Sequence, residues 1–433
     1  MRDIDAMQTA TAVDTLNFLR RVVLPTFGKG VIIRRRSMEY AAAHAALDLG
    51  AVREMQRLRE KYGAAPLLLK LPFRPQVVLL YPRDVEYVLT NSPEPFATAT
   101  AEKKAALAHL EPGNVLISDA PRRAEVRPVH DHALASHKTL HPFADHFQRV
   151  IDEEFDQAFG EKMPVELDWS LFSKAWFRIV RRLVLGDCAR DDSDFTDLLN
   201  RLRGRANWAF FLRRDKSLLE EFQTRLHGYV SRAERGSLVA RIPVNDRLNP
   251  ESQVTQWLFA FDPAGMATFR TLAVLASHPK HLKRVGKEAT DGDLDRQQAR
   301  SCVLETLRLW PTTPAILREL TRDFGAGART VKKGTGVIIF TPFFHRDTRL
   351  PYANSFEPKL WAKEHAFPLK GLVPFSAGPA MCPAHNLVPL VASLALGAVL
   401  SRFMVEPVSP KLDPGNLPGT LNHFEIRVRL RAK

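Results

Sequence analysis

The sequence predicts a mainly α protein with a minor β region, and three observations carry that expectation. Apolar residues recur at helical spacing over about residues 16–60 and again from Arg83 to about Pro311. Strand-like runs are few, short and bounded by proline or charged residues. The 433 residues are 45% hydrophobic and 25% charged, the composition of a globular chain with ample core.

Taken in order, residues 1–60 read as an N-terminal helical segment in which Leu47, Ala51, Met55 and Leu58 share one face. Leu67-Leu68-Leu69 and Val77-Val78-Leu79-Leu80, separated by Pro72 and Pro75, predict two strands of a small sheet. Ser118-Asp119-Ala120-Pro121 opens a helix with a capping residue and an early proline. Arg123 and Arg127 then fall four apart, on one face. Further on, Leu258-Phe259-Ala260-Phe261-Asp262-Pro263-Ala264-Gly265-Met266-Ala267-Thr268 leads to His278-Pro279. Pro263 has no N–H to offer the Phe259 carbonyl, so a kink or an opened turn is expected there. A second reading has Asp262 capping a helix that begins at Pro263.

Glu305 and Arg308 lie three apart on a predicted helix, a spacing that lets them lock together. Val337-Ile338-Ile339-Phe340 reads as a strand, and Phe424 to Leu430 as a final hairpin. The chain contains no internal repeat and no low-complexity segment.

Cys188, Cys302 and Cys382 are too few and too scattered for a disulfide framework, which fits a reducing, cytoplasmic setting. The longest apolar stretches fall short of a bilayer span and no signal-peptide pattern opens Met1 to Asp5, so no transmembrane anchor is expected. The net charge of +14 points to an anionic partner. No nucleic-acid motif accompanies it, so nucleic acid is not expected to be that partner. The histidines between His130 and His146 include His137 and His141 one turn apart. They lack the glutamate of a zinc-protease motif and suit solvated or capping roles.

Cys382 constrains the chemistry most. It lies in Pro374-Phe375-Ser376-Ala377-Gly378-Pro379-Ala380-Met381-Cys382-Pro383, a small-residue turn followed by the apolar segment Leu387 to Leu400. Free backbone N–H groups and the positive dipole of a helix start favour an anionic sulfur there. Such a sulfur in an apolar pocket suits an axial ligand of haem iron. The plainer alternative is a buried small hydrophobe.

Phe375, Gly378 and Cys382 resemble the cysteine loop of the cytochrome P450 family, Phe-x-x-Gly-x-Arg-x-Cys-x-Gly. Ala380 stands where that family usually places a basic residue, and Ala384 where it places glycine. Glu305-Thr306-Leu307-Arg308 resembles the Glu-x-x-Arg of the K helix. The third partner there is usually an arginine. Leu360 occupies that position, so Lys359 or a more distant group must substitute. The helix opened by Asp119 resembles the C helix, which implies that Arg123 and Arg127 bind haem propionates, with Arg318 a third candidate by family position. The segment before His278-Pro279 resembles the I helix, which typically carries Ala-Gly-x-Asp/Glu-Thr. Counting back aligns Asp262 with the acid and Pro263 with the alcohol. The other register, Ala264 to Thr268, keeps a threonine and loses the acid.

The resemblance implies a single haem-binding domain over 1–433, with the I-helix region at about 250–280, the K helix at about 300–310 and the cysteine loop at 374–384. It implies haem b ligated by Cys382 and a monooxygenase. Such an enzyme inserts one oxygen atom from O2 into a small hydrophobic substrate, with electrons from a ferredoxin or flavodoxin and a place in secondary metabolism. Catalytic roles fall to Asp262 and Pro263. Phe259, Phe261, Ala264 and Thr313 line the pocket, with the Thr420-Leu421 turn opposite. The regions Ala97 to Leu116 and Trp208 to Tyr229 correspond to mobile loops and lid helices, and Trp208-Ala209-Phe210-Phe211 is apolar enough to cover a substrate. Two alternatives stay open: a peroxide-dependent or non-oxygenating enzyme, because Pro263 replaces the alcohol, and a haem-binding sensor or carrier without catalysis.

Overall fold

Helices account for most of the chain in the computed structural model, which describes residues 7–63, 65–71, 73–160, 164–243, 249–325, 330–362 and 371–433. Met1 to Asp5 and Pro72, both read above, lie outside the described residues. The described strands are β1 (Gln8–Thr9), β2 (Leu67–Leu69), β3 (Gln76–Val78), β4 (Phe96–Ala97), β5 (Val165–Asp168), β6 (Ala315–Leu320), β7 (Gly336–Phe340), β8 (Phe403–Ser409) and β9 (Arg427–Ala432). They form a six-stranded sheet in the order β1-β2-β3-β7-β6-β4 and a three-stranded sheet in the order β5-β9-β8.

β2 and β3 pair antiparallel with Leu67 opposite Val78, as the two apolar runs predict. The final hairpin does not form within Phe424 to Leu430. Instead β9 lies between β5 and β8 and pairs antiparallel with both. Val428 and Leu430 point inward while arginines alternate with them, so a paired central strand satisfies both faces.

The helix Pro250–Ala276 positions the site. Asn249 caps it by accepting from the Ser252 N–H, and Pro250 takes the first turn, where its missing donor costs nothing. It runs through Pro263 as one 27-residue helix, which corrects both the opened turn and the reading of Asp262 as a cap. Nearly every side chain of its second half is buried against the helices Trp169–Leu185, Gln297–Leu309 and Leu387–Arg402. That packing holds the helix where one internal hydrogen bond is missing. By length and composition this helix could cross a bilayer, contrary to the sequence expectation; here it is a buried core helix.

One apolar core fills the space among these helices, and a second lies between the larger sheet and the N-terminal helices. A cavity opens where the cores meet, bounded by Pro250–Ala276, the helix Ala120–Ala133, β6 and the loop that carries Cys382.

Candidate functional site

The cysteine loop is built from backbone hydrogen bonds. The Cys382 N–H donates to the Phe375 carbonyl at 2.9 Å and the Met381 N–H to the Gly378 carbonyl at 3.0 Å. Gly378 has φ +69°, and a Cβ there would stand 2.2 Å from the Leu89 carbonyl oxygen. Only glycine fits both constraints. Burial pushes the Cys382 thiol up, while the Ala384 N–H and the Arg127 charge pull it down. The following helix begins at Leu387, so local amides rather than a helix dipole stabilise sulfur charge.

Cys382 and Phe375 line a cavity of about 320 Å³, and Arg123, Arg127 and Arg318 reach the same space. Arg127 pairs with Asp131 at 2.9 Å and donates to the Met381 carbonyl at 2.8 Å, tying its helix to the cysteine loop. Arg123 donates to the Val115 carbonyl, and Arg318 to Ser92 and Ser376. Neither has a carboxylate partner in an ion pair among the described residues. Burial pushes each guanidinium down to about 10, and repulsion from a neighbouring arginine adds to it.

Lys103, which sequence reasoning missed, faces the cavity too. Its ammonium donates to the Thr98 and Leu317 carbonyls. Burial, then Arg318 and Arg123, push it down to about 7. It lay unrecognised inside Glu102-Lys103-Lys104, a run that reads as solvated surface.

The opposite wall is the helix Pro250–Ala276. Gln256, Trp257, Phe259, Ala260, Phe261, Pro263 and Ala264 line the cavity. The positions 256, 259, 260, 263 and 264 make one helical stripe. Asp262 falls off that stripe. It is 4% exposed, and Arg203 Nη2 pairs with its Oδ2, with the Arg203 guanidinium also over the Phe259 ring. The expected carboxylate over the cavity is therefore absent at Asp262, because the arginine holds it on the neighbouring helix Ser193–Ala206. Thr268, the alternative alcohol, is buried with its hydroxyl on the Ala264 carbonyl and does not face the cavity either.

Thr312, Thr313 and Ala315 form the third side and open onto a second chamber of about 440 Å³. Phe27, Val31, Phe210, Leu317 and Phe340 line that chamber. Of the expected cover, Ala209 and Phe210 line it, and Trp208, Phe210 and Phe211 are all exposed, at 47%, 59% and 82%. The Thr420-Leu421 turn is displaced from the pocket. Thr420 donates to Asp48, beside a small charged cavity shared with Lys29 and Arg34.

Behind the cysteine loop, Glu305 and Arg308 are fully buried and joined at 2.7 and 2.8 Å. Arg308 also donates to the carbonyls of His345, Tyr352, Ala353 and Ser355. The third partner is Trp361, whose indole N–H donates to Glu305 at 2.9 Å, with the Glu357 N–H at 2.7 Å. Lys359 does not take that place. Indole carries one donor and no charge, so nothing in the sequence marked it as an arginine's substitute.

The solvated or capping reading of the histidines fails at His130, which is 1% exposed and hydrogen-bonded to Trp257 and Gln253. His137 is exposed and His141 is buried on the Ala133 carbonyl. Among the described residues no three His, Cys, Asp or Glu side chains group to hold a metal ion.

A family model described as Cytochrome P450 matches residues 254–423. Cytochrome P450 4c3 of Drosophila melanogaster is 29% identical over 35% of this chain and 31% of its own length. The (21S)-21-acetyl-1-hydroxy-apo-melianone synthase CYP88A164 of Melia azedarach is 22% identical over 83% of this chain and 82% of its own. The crystal structure of CYP175A1 from Thermus thermophillus superposes with a TM-score of 0.66 at 19% identity, covering 92% of this chain and 98% of that one. The matched stretch thus spans about a third of the Drosophila relative, whereas the fold is shared along nearly the whole chain. Residues 254–423 are therefore similar to the cytochrome P450 family, and nearly the whole chain shares the fold of one of its members. That similarity implies haem held by a cysteine thiolate.

The residues present fit that group. The Cys382 thiol lines the cavity, and on the same cavity lie three cations (Arg123, Arg318 and Lys103) that form no ion pair with a carboxylate among the described residues. A macrocycle bearing two carboxylates answers both features.

Proposed function

We propose that the protein is a haem-thiolate monooxygenase that inserts one oxygen atom from O2 into a small hydrophobic substrate. The observation that carries this reading is the convergence of Cys382 and three cations, none in an ion pair among the described residues, on a single cavity that opens onto a largely apolar chamber. In this reading Cys382 is the axial ligand and haem b the group. Arg123, Arg127, Arg318 and Lys103 hold its carboxylates, and Phe375 and Gly378 set the loop. Haem, when bound, supplies the activation of oxygen. The protein's own contribution is positional. The Glu305–Arg308–Trp361 cluster fixes the scaffold behind Cys382, while Phe259, Phe261, Ala264 and Thr313 keep water out and shape the pocket. Pro263 leaves the Phe259 carbonyl without its helical donor.

Electrons come from a ferredoxin or flavodoxin. A net charge of +14 supports an acidic partner. Lys138, exposed beside Ser136, whose hydroxyl donates to the Pro383 carbonyl, places positive charge next to the cysteine loop.

A peroxide-dependent or non-oxygenating reaction has its own support: the Asp262 carboxylate and the Thr268 hydroxyl are both turned from the cavity, and Pro263 has none to give. The carbon monoxide spectrum of the dithionite-reduced protein tests thiolate ligation, and a strongly red-shifted Soret band is expected. Product formed with a redox partner supports the monooxygenase, product formed only with peroxide supports the second reading, and no product under either condition leaves a sensor or carrier.

A further inference from the structure

Much of the second chamber's wall belongs to helices and strands, whose backbones are held by their own hydrogen bonds. Val31, Ile32 and Arg34 instead line it from a loop, residues 29–35, that precedes the helix Arg36–His44. Gly30 has φ +87° there, and a Cβ on it would stand 2.1 Å from the Ile33 carbonyl oxygen, so the turn needs glycine.

The backbone of this loop is held by side chains from one place in the fold. Asn207, which follows the helix Ser193–Ala206, accepts through Oδ1 from the Ile32 N–H at 2.8 Å and the Ile33 N–H at 3.3 Å. Its Nδ2 donates to the Ile33 carbonyl at 2.8 Å. Arg203 Nη2 donates to the Ile32 carbonyl at 3.1 Å, with the same nitrogen that pairs with Asp262. The four backbone groups of Ile32 and Ile33 are thus satisfied from that helix end, three of them by Asn207, itself 8% exposed. Arg34 donates to the Gly30 carbonyl at 2.7 Å and to the Thr312 carbonyl at 2.6 Å. The loop therefore hangs between Asn207 and the neck, tied through Arg203 to the helix Pro250–Ala276.

A wall held mainly by one amide yields more readily than walls held by helix and strand ladders. We propose that Asn207 is the positioning residue that makes this loop a wall of the substrate chamber, and that the loop sets the longest apolar chain the chamber accepts. The inference rests on the reading of the second chamber as the substrate site. Val31 lines the chamber and is 41% exposed, so it marks where a chain of excess length meets the loop. Shorter chains gain by burying every added carbon. Longer ones must push the loop off Asn207 or leave their end in water.

The test uses the haem-loaded ferric protein and n-alkylimidazoles of rising chain length, whose ring nitrogen binds the iron, each titrated by its Soret shift. Affinity should rise about fourfold per added carbon and stop rising at one chain length. Asn207→Ala should leave the slope for short chains unchanged and move that break to longer chains. Val31→Trp, a change at an exposed position, should move it to shorter ones. Hydrogen exchange at the Ile32 and Ile33 amides should be about tenfold faster in Asn207→Ala, with the amides of Pro250–Ala276 still protected. A break at the same chain length in all three proteins overturns the proposal, as does affinity that rises in the wild type without a break. Unchanged exchange at Ile32 and Ile33 in Asn207→Ala overturns it too. If Asn207→Ala does not fold, Val31→Trp decides alone, and an unmoved break there overturns the proposal. Failure of every imidazole to shift the Soret band, with the red-shifted carbon monoxide band intact, overturns this inference and leaves the haem-thiolate reading standing. Absence of that carbon monoxide band in the wild type is failure of the functional reading.

Discussion

The two walls of the cavity are held by opposite means. The wall behind Cys382 is fixed by polar groups: a left-handed glycine, backbone hydrogen bonds and a buried Glu305–Arg308 pair with four carbonyls around it. The wall made by Pro250–Ala276 is a stripe of mostly apolar side chains, and its acidic residue, Asp262, is held off the stripe by Arg203. The first wall tolerates few residue types at each position. The second needs only shape and has room to differ. Ligand geometry belongs to the first wall and the choice of reaction and substrate to the second.

The strongest way to break that division is to exchange one residue on each side. Cys382→Ala should abolish the red-shifted carbon monoxide band and all turnover. Pro263→Ala, which restores an N–H to the helix, should leave the band in place and change only turnover. If Pro263→Ala also removed the band, the walls would not be separable. Next in size is Arg308→Ala. It strands Glu305 in a fully buried site, and about 3–5 kcal/mol of stability should be lost in denaturant titration.

Asp262 sharpens the comparison from the other wall. Asp262→Asn should cost about 3 kcal/mol, the low end for leaving one buried charge unpaired. The double variant Arg203→Leu with Asp262→Leu should recover most of that loss. A solvent isotope effect on turnover that is unchanged in Asp262→Asn is the expected mark of a positional residue. A changed one would return Asp262 to proton delivery. Sequence spacing put Asp262 next to Pro263 on a helix. It could not show that residue 262 falls between faces, nor that an arginine from another helix waits there. Spacing within one helix is legible, but partners 59 residues away are not.

The same limit explains the rest. Gly378, Cys382 and the pair Glu305 and Arg308 were readable because each lies in a short motif whose members are close in sequence. Trp361 and Lys103 were missed because their roles arise from packing, and β9 was misread because both its partner strands lie outside the segment that reads as a hairpin. A test of the first is small but clean. Trp361→Phe keeps an aromatic ring and removes one hydrogen bond to a buried carboxylate, which should cost about 1.5–2 kcal/mol. A loss near zero would mean that the Glu357 N–H alone suffices.

The smallest effect concerns His130, which sits where the two walls meet. Its Nδ1 accepts from the Trp257 indole at 3.0 Å, and its Nε2 meets Gln253 at 2.9 Å. Burial foremost pushes its pKa down to about 4. The Gln253 hydrogen bond opposes this, and the nearby Arg127 charge adds to it. A proton on Nδ1 would face the indole N–H, donor against donor. The unfolded chain takes that proton near the ordinary value of about 6.5 and the folded chain refuses it until about pH 4. The stabilisation is thus complete above pH 6.5 and drains away as pH falls toward 4. Between pH 6.5 and 5.5 this one group should account for about 1 kcal/mol of lost stability. His130→Gln, which cannot titrate, should flatten the stability profile by that amount while its absolute stability shifts by an independent offset. An unchanged slope would show that His130 is protonated in the fold, and so that the indole contact gives way more easily than the carboxylate cluster behind Cys382.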